Sequence, residues 1–166
     1  ETRSDWFILS EFWNGAPWAG HPFPFRAHLT LTNLQPSAEP GIYFGLSSEK
    51  IPHTGERQRL WKLKNPEVSL PIKEWFDVEV TIKEGGADTG RFILKMTTSD
   101  GKTFTVFDVT GFTHSPENPD PGGIRFHHPL KMYVSKSTAD VAIAGEGALE
   151  VFYDDLELYG KPVGLN

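Results

Sequence analysis

From Gly123 to Lys136 the chain reads GIRFHHPLKMYVSK. Read as an extended strand, its side chains alternate faces with a period of two. One parity holds Ile124, Phe126, His128, Leu130, Met132 and Val134 and is almost wholly apolar. The other holds Arg125, His127, Pro129, Lys131, Tyr133 and Ser135, and so lines up a guanidinium, an imidazole, an ammonium and a phenol. A face that only had to be wetted would be served by Thr, Ser, Glu and Lys, so this row is a candidate binding surface.

The same alternation predicts strands along most of the chain. Asp5 to Trp13 is dense in aromatic and apolar residues on both parities, as expected of a central strand covered on both sides, with Glu11 the odd member. Asn14 to Phe25 has three prolines and two glycines and is expected to be a loop. Its aromatics have two available jobs, a plug at one end of the fold or, for Trp18, a stacking platform for a flat ligand. Arg26 to Asn33 alternates cleanly, with Ala27, Leu29 and Leu31 inward and Arg26, His28, Thr30 and Thr32 outward. An Arg and a His two apart on a polar face repeat the pairing of Arg125 with His127.

Gly41 to Leu46 predicts a further strand. His53 to Lys64 concentrates Arg57, Arg59, Lys62 and Lys64 and reads as a solvated hairpin. Trp75 to Lys83 puts Phe76, Val78, Val80 and Ile82 inward under an ordinary charged face. Arg91 to Val109 folds back at Asp100-Gly101, a strong hairpin signal. Ala139 to Gly147 reads as a loop or a single helical turn, and Ala148 to Tyr159 as a long closing strand, bulged at Asp154-Asp155.

Composition narrows the class. Short strands, 16 Gly, 13 Pro and 13% aromatic residues describe an all-β sandwich or barrel, and 166 residues suit one domain spanning 1–166. A formal net charge of −6 argues against nucleic acid or an anionic membrane surface as partner. There is no cysteine, hence no disulfide or thiolate chemistry. No apolar run reaches the roughly 18 residues of a membrane-spanning helix. A start at Glu1 without a charged-apolar leader is expected of a processed or excised segment.

About ten antiparallel strands and no convincing helix predict an antiparallel jelly-roll β-sandwich. Glu74-Trp75-Phe76-Asp77-Val78-Glu79-Val80, the Asp100-Gly101 hairpin and the closing Tyr153-Asp154-Asp155-Leu156-Glu157-Leu158-Tyr159 carry a likeness over most of the chain. On these the chain resembles the concanavalin A-like lectin/glucanase superfamily, in particular laminin-G-like domains of bacterial polysaccharide-utilising proteins. The resemblance implies an exported protein, secreted, periplasmic or at the cell surface, working alone or tethered to a larger glycan-active protein. It leaves function open, because such domains include binding modules, lectins, hydrolases and lyases.

The residues discriminate among these. The E-x-D-x-x-E strand of the fold's retaining hydrolases, which sets two carboxylates about 5 to 5.5 Å apart, is absent, so hydrolysis is disfavoured. A polysaccharide lyase needs an acid and base near a uronate and a cation to neutralise it, and Arg26, His28, Arg125, His127, Lys131 and Tyr133 include those types. The R-[TS]-E-[LV]-R and Q-[IV]-H strands of jelly-roll lyases are missing, however. A non-catalytic carbohydrate-binding domain needs only aromatic platforms and planar polar groups in a largely pre-formed site. Trp18, Arg26, His28, Arg125, His127, Lys131 and Tyr133 supply these for a polysaccharide or oligosaccharide, the cations favouring an acidic or heavily hydroxylated one. A structural or interaction domain is the remaining alternative. His127 and His128 point to opposite faces and cannot chelate one ion together. Asp154 and Asp155, with loop carbonyls, offer hard oxygen ligands to a structural calcium ion.

Overall fold

The computed structural model describes residues 6–32, 41–52, 54, 56–144 and 150–160. Among these residues nine strands and one α-helix follow in order: β1 (Trp6–Gly15), β2 (Phe25–Thr32), β3 (Tyr43–Lys50), β4 (Gln58–Ser69), β5 (Phe76–Lys83), β6 (Arg91–Thr98), β7 (Thr103–Thr110), β8 (Phe126–His128), β9 (Tyr133–Val134) and α1 (Lys136–Ala144). All pairings are antiparallel. One sheet runs β4-β3-β2-β1-β8, with β9 also paired to β1, and the other runs β5-β6-β7.

The two sheets form a β-sandwich closed by one apolar cluster. Phe7, Leu9 and Phe12 of β1, the alternate residues Phe25, Ala27, Leu29 and Leu31 of β2, and Phe44 and Leu46 of β3 meet Phe92, Leu94 and Met96 of β6. Phe92 is fully buried, with its ring edge-on to Phe12 at 5.7 Å and to Trp61 at 6.5 Å. It is therefore a pin between the layers. A bulge between Ile8 and Ser10 lets both Leu9 and Phe12 reach this core, which no strict period of two allows.

β1 is central, as its two apolar parities predict, and almost every residue of it is buried. The Asp100-Gly101 hairpin forms as expected, with Gly101 at φ +82, a left-handed value at which a side chain is strained. Of the β5 residues expected inward, Phe76, Val80 and Ile82 pack on the core, whereas Val78 stays exposed.

Four expectations are corrected. The predicted strand from Ile124 to Val134 is interrupted by a turn at Pro129-Leu130, leaving only β8 and β9. Proline removes a ladder donor there, and the break resets which parity faces the core. Ala139 to Gly147, expected to be a loop or a single helical turn, begins inside the nine-residue α1, whose described part runs to Ala144. Ser135 caps that helix, its Oγ accepting the Thr138 N–H at 3.2 Å. The basic stretch predicted as a solvated hairpin instead feeds the 12-residue strand β4. The closing strand does not form in its described part, since residues 150–159 carry no regular structure. Asp155 adopts φ 50, and its N–H is taken by the Asp154 carboxylate at 2.9 Å, which breaks the pleat where a strand would need to continue.

Truncating Phe92 to Ala leaves a cavity that neither sheet can collapse into. Chemical denaturation of Phe92→Ala is expected to show a loss of about 3–5 kcal/mol against the parent. A loss below about 1 kcal/mol would mean that the sheets are not held together at this ring.

Candidate functional site

The large sheet buries one face in the core and presents the other as a set of cross-strand rows. The register places Lys62, Ser47, His28, Glu11 and His128 in one line across β4, β3, β2, β1 and β8. The next line holds Arg59, Glu49, Arg26, Trp13 and Phe126, and the line on the other side holds Lys64, Gly45, Thr30, Ile8 and Tyr133. Each line crosses four strand spacings, roughly 19 Å. Its middle is small and buried, with Ser47, Thr30, His28 and Gly45 as floor. A Cβ at Gly45 would lie 2.5 Å from the Thr30 hydroxyl, so the floor stays low only because that residue is glycine. The flanks stand exposed: Arg59, Lys62 and Lys64 on β4, Trp18 and Tyr133 on the opposite side.

An ion network is set into this floor. Arg26 Nη1 donates to Glu11 Oε1 at 2.6 Å, and its Nε and Nη2 donate to Glu49 Oε2 at 3.1 and 2.8 Å. The guanidinium also lies 5.5 Å from the Trp13 ring. Glu11 is buried, and its second oxygen is approached by Lys131 Nζ at 3.4 Å, His128 Nδ1 at 3.3 Å and the Trp13 indole N–H at 3.3 Å. Burial pushes the Glu11 carboxyl up, but Arg26, then Lys131 and the His128 and Trp13 hydrogen bonds, outweigh it and hold the group below its ordinary value. Glu49 is likewise raised by burial and brought lower overall, chiefly by the Arg26 charge and hydrogen bond. Both carboxylates are thus ionised at neutral pH.

His28 behaves oppositely. Burial first, and then the Arg26 charge, lower it from 6.5 to about 4, so its imidazole is neutral at pH 7. Its Nδ1 is buried with no hydrogen-bond partner.

Trp18 lies on the short 3-10 turn Pro17–Ala19, which is closed by Gly20 in the left-handed conformation. The indole is 59% exposed, stacks on His128 at 5.8 Å with 17° between planes, and meets the Trp13 ring edge at 4.6 Å. β8, which carries His128, is held in place at its start. Glu84 accepts from the Gly123 N–H at 2.8 Å and from the Asn14 side chain, and the Arg125 N–H donates to Trp13 O at 2.7 Å.

Of the residues singled out from sequence, Arg26, His28, Lys131, Tyr133 and Trp18 share this face. The two Arg-x-His segments do lie in one sheet, but the parity of β8 is the reverse of the expected one. His127 turns inward, stacks on Phe12 at 4.4 Å and hydrogen-bonds Ser10 Oγ at 3.0 Å, while Phe126 and His128 take the outer face. Burial, and next the His128 charge, lower the His127 pKa. Arg125 precedes the strand, and its guanidinium packs against Gly122 away from the network. Asp154 and Asp155 are exposed in the irregular segment, and among the described residues no three His, Cys, Asp or Glu converge as a metal site.

Sequence reasoning missed Trp13, Glu49, Arg59, Lys62 and His128, and marked Glu11 only as the odd member of its strand. Lys62 and Lys64 do alternate with Trp61 and Leu63, a signal of one outward face. A bulge between the pairs Ser48–Trp61 and Glu49–Arg59 removes Arg59 from that parity.

No family model matches the sequence, and neither a curated protein nor a solved structure is found similar to it.

The depressed proton affinity of His28 makes stability depend on pH. The unfolded imidazole takes up a proton near pH 6.5 whereas the folded one resists until about 4, so acidification favours unfolding throughout that window. The protonation of Glu11 and Glu49 acts in the same direction below their ordinary value of 4.5. In His28→Gln the melting temperature is expected to fall less between pH 6.5 and 4.5 than in the parent. Parallel curves for the two proteins in that window would exclude His28 as the source.

Proposed function

We propose that this chain is a non-catalytic, lectin-like carbohydrate-binding domain with a jelly-roll, concanavalin A-like fold, recognising a polysaccharide or oligosaccharide on the outer face of the large sheet. The observation carrying this reading is the exposed Trp18 ring, supported from behind by His128 and Trp13 and set beside a buried network of planar polar groups. A sugar presents an apolar C–H face to stack on an indole and a rim of hydroxyls for carboxylate, guanidinium and imidazole groups. A rigid polar network beside an exposed ring is the pre-formed arrangement that such ligands need. The resemblance of the chain to the laminin-G-like domains supports the fold and an exported location.

A second reading, eliminative cleavage of a uronan, draws on His28, which is neutral at pH 7 as a base must be. Two features weigh against it. The Arg26 guanidinium is already taken by Glu11 and Glu49, so it is not free to neutralise a substrate carboxylate. Tyr133 pairs with Ile8 on the far side of β1 from His28, and their backbones stand roughly 12 Å apart by strand spacing and rise. Calcium remains a structural proposal only. Asp154 and Asp155 supply two carboxylates, one of them engaged by the Asp155 N–H, and carbonyls or water would complete the six to eight oxygens the ion takes.

A glycan array followed by titration of any hit is expected to give binding without new ultraviolet absorbance. Trp18→Ala should weaken that binding about tenfold, as expected of an aromatic anchor. Appearance of an unsaturated product would establish the lyase instead. For the metal, chelation with EDTA is expected to lower the melting temperature and added calcium to restore it, and an unmoved transition would remove calcium from the description.

A further inference from the structure

Two cations of the basic flank, Arg59 and Lys62, have no acidic counterpart among the described residues. Both are exposed on β4. They stand in register with Glu49 and Ser47 respectively, so both project over the same face as His28. Arg59 is near enough to depress the proton affinity of His28. The groove's two carboxylates, Glu11 and Glu49, are already shared with Arg26, and Glu11 also with Lys131. The face as a whole thus carries surplus positive charge on a protein whose formal net charge is −6. Unpaired cations concentrated along one flank of an acidic protein attract and orient an anion. The floor between them adds a hydroxyl at Ser47 and an imidazole nitrogen at His28 Nδ1 that is buried without a partner.

We propose that the groove selects glycans bearing carboxylates, with a uronate held between Arg59 and Lys62 on β4 while a ring several residues further along the same glycan stacks on Trp18. This rests on the saccharide reading above and names its ligand class. A carboxylate fits better than a neutral hydroxyl cluster because a guanidinium can donate to both of its oxygens in one plane and an ammonium can approach from the side. Arg26 does not serve this purpose, because its donors are spent on the floor. The anion seat therefore belongs to β4 and the stacking seat to the opposite flank, which gives a bound chain a fixed direction across the strands.

The test compares polygalacturonate with the same polymer after methyl esterification, with dextran as neutral glycan and dextran sulfate as a sulfated one, by calorimetry at two salt concentrations. Expected are binding of polygalacturonate, at least tenfold weaker binding of its ester, and a marked loss of affinity at higher salt. The double variant Arg59→Gln, Lys62→Gln should lose at least tenfold toward polygalacturonate and much of the salt dependence. Its melting temperature should stay at the parent value, because neither side chain is paired or buried. Equal affinity for acid and ester, a preference for dextran or dextran sulfate, or an unaffected double variant would overturn the uronate inference and leave saccharide binding standing. Failure to bind any of the four, with the parent folded, would overturn both.

Discussion

The buried guanidinium of Arg26 constrains the large sheet more than any other group. It takes carboxylates from both neighbouring strands, Glu11 from β1 and Glu49 from β3, and so ties three strands together on the face away from the core. A one-residue slip of β2 would turn Arg26 into the apolar layer and Ala27 out of it, stranding one cation and two anions. Removing one partner of such a network costs about 3–5 kcal/mol, whereas replacing all of it by apolar groups is often neutral. The network is therefore poorly explained as a source of stability. Its effect is to fix one register and to keep a polar floor charged and rigid.

From that floor the flanks of the groove are positioned by few contacts. Glu11 is the junction, because it faces Arg26 across one edge of β1 and Lys131 and His128 across the other. His128 in turn backs Trp18, so an exposed ring on a short turn is oriented by a buried carboxylate two contacts away. Local chain features make this geometry available. The bulge in β1 brings Glu11 and Trp13 to the outer face, the turn at Pro129-Leu130 restores Lys131 to it, and the glycine at 45 admits the Thr30 hydroxyl at close range.

Those same features explain what could be read from the chain and what could not. β2 was legible in full, because its alternation is unbroken from Phe25 to Thr32 and both Arg26 and His28 fall where a period of two puts them. The β5 parity and the β6–β7 hairpin were legible for the same reason. Errors fall where the period slips. Parity carried through Pro129 inverts His127 and Phe126, and parity carried through the β4 bulge loses Arg59. The partnership of Arg26 with Glu11 and Glu49 depends on which strands are neighbours, and that information is non-local. The α1 helix was hidden because its only start signal is the Ser135 cap, in a stretch whose composition resembles a loop.

The small sheet matters in a different way. β5 is its outermost strand, with Trp75 beside it 61% exposed and Val78 42% exposed, and residues 150–160 leave Phe152, Leu158 and Tyr159 largely in solvent. Unpaired main-chain groups beside apolar side chains are the usual route by which sheets of separate molecules add to one another. Here the outward residues of that strand include Asp77 and Glu79, which keep like edges apart while ionised. Salt screens those charges and weakens the repulsion between like edges, and it does so on the layer opposite the groove.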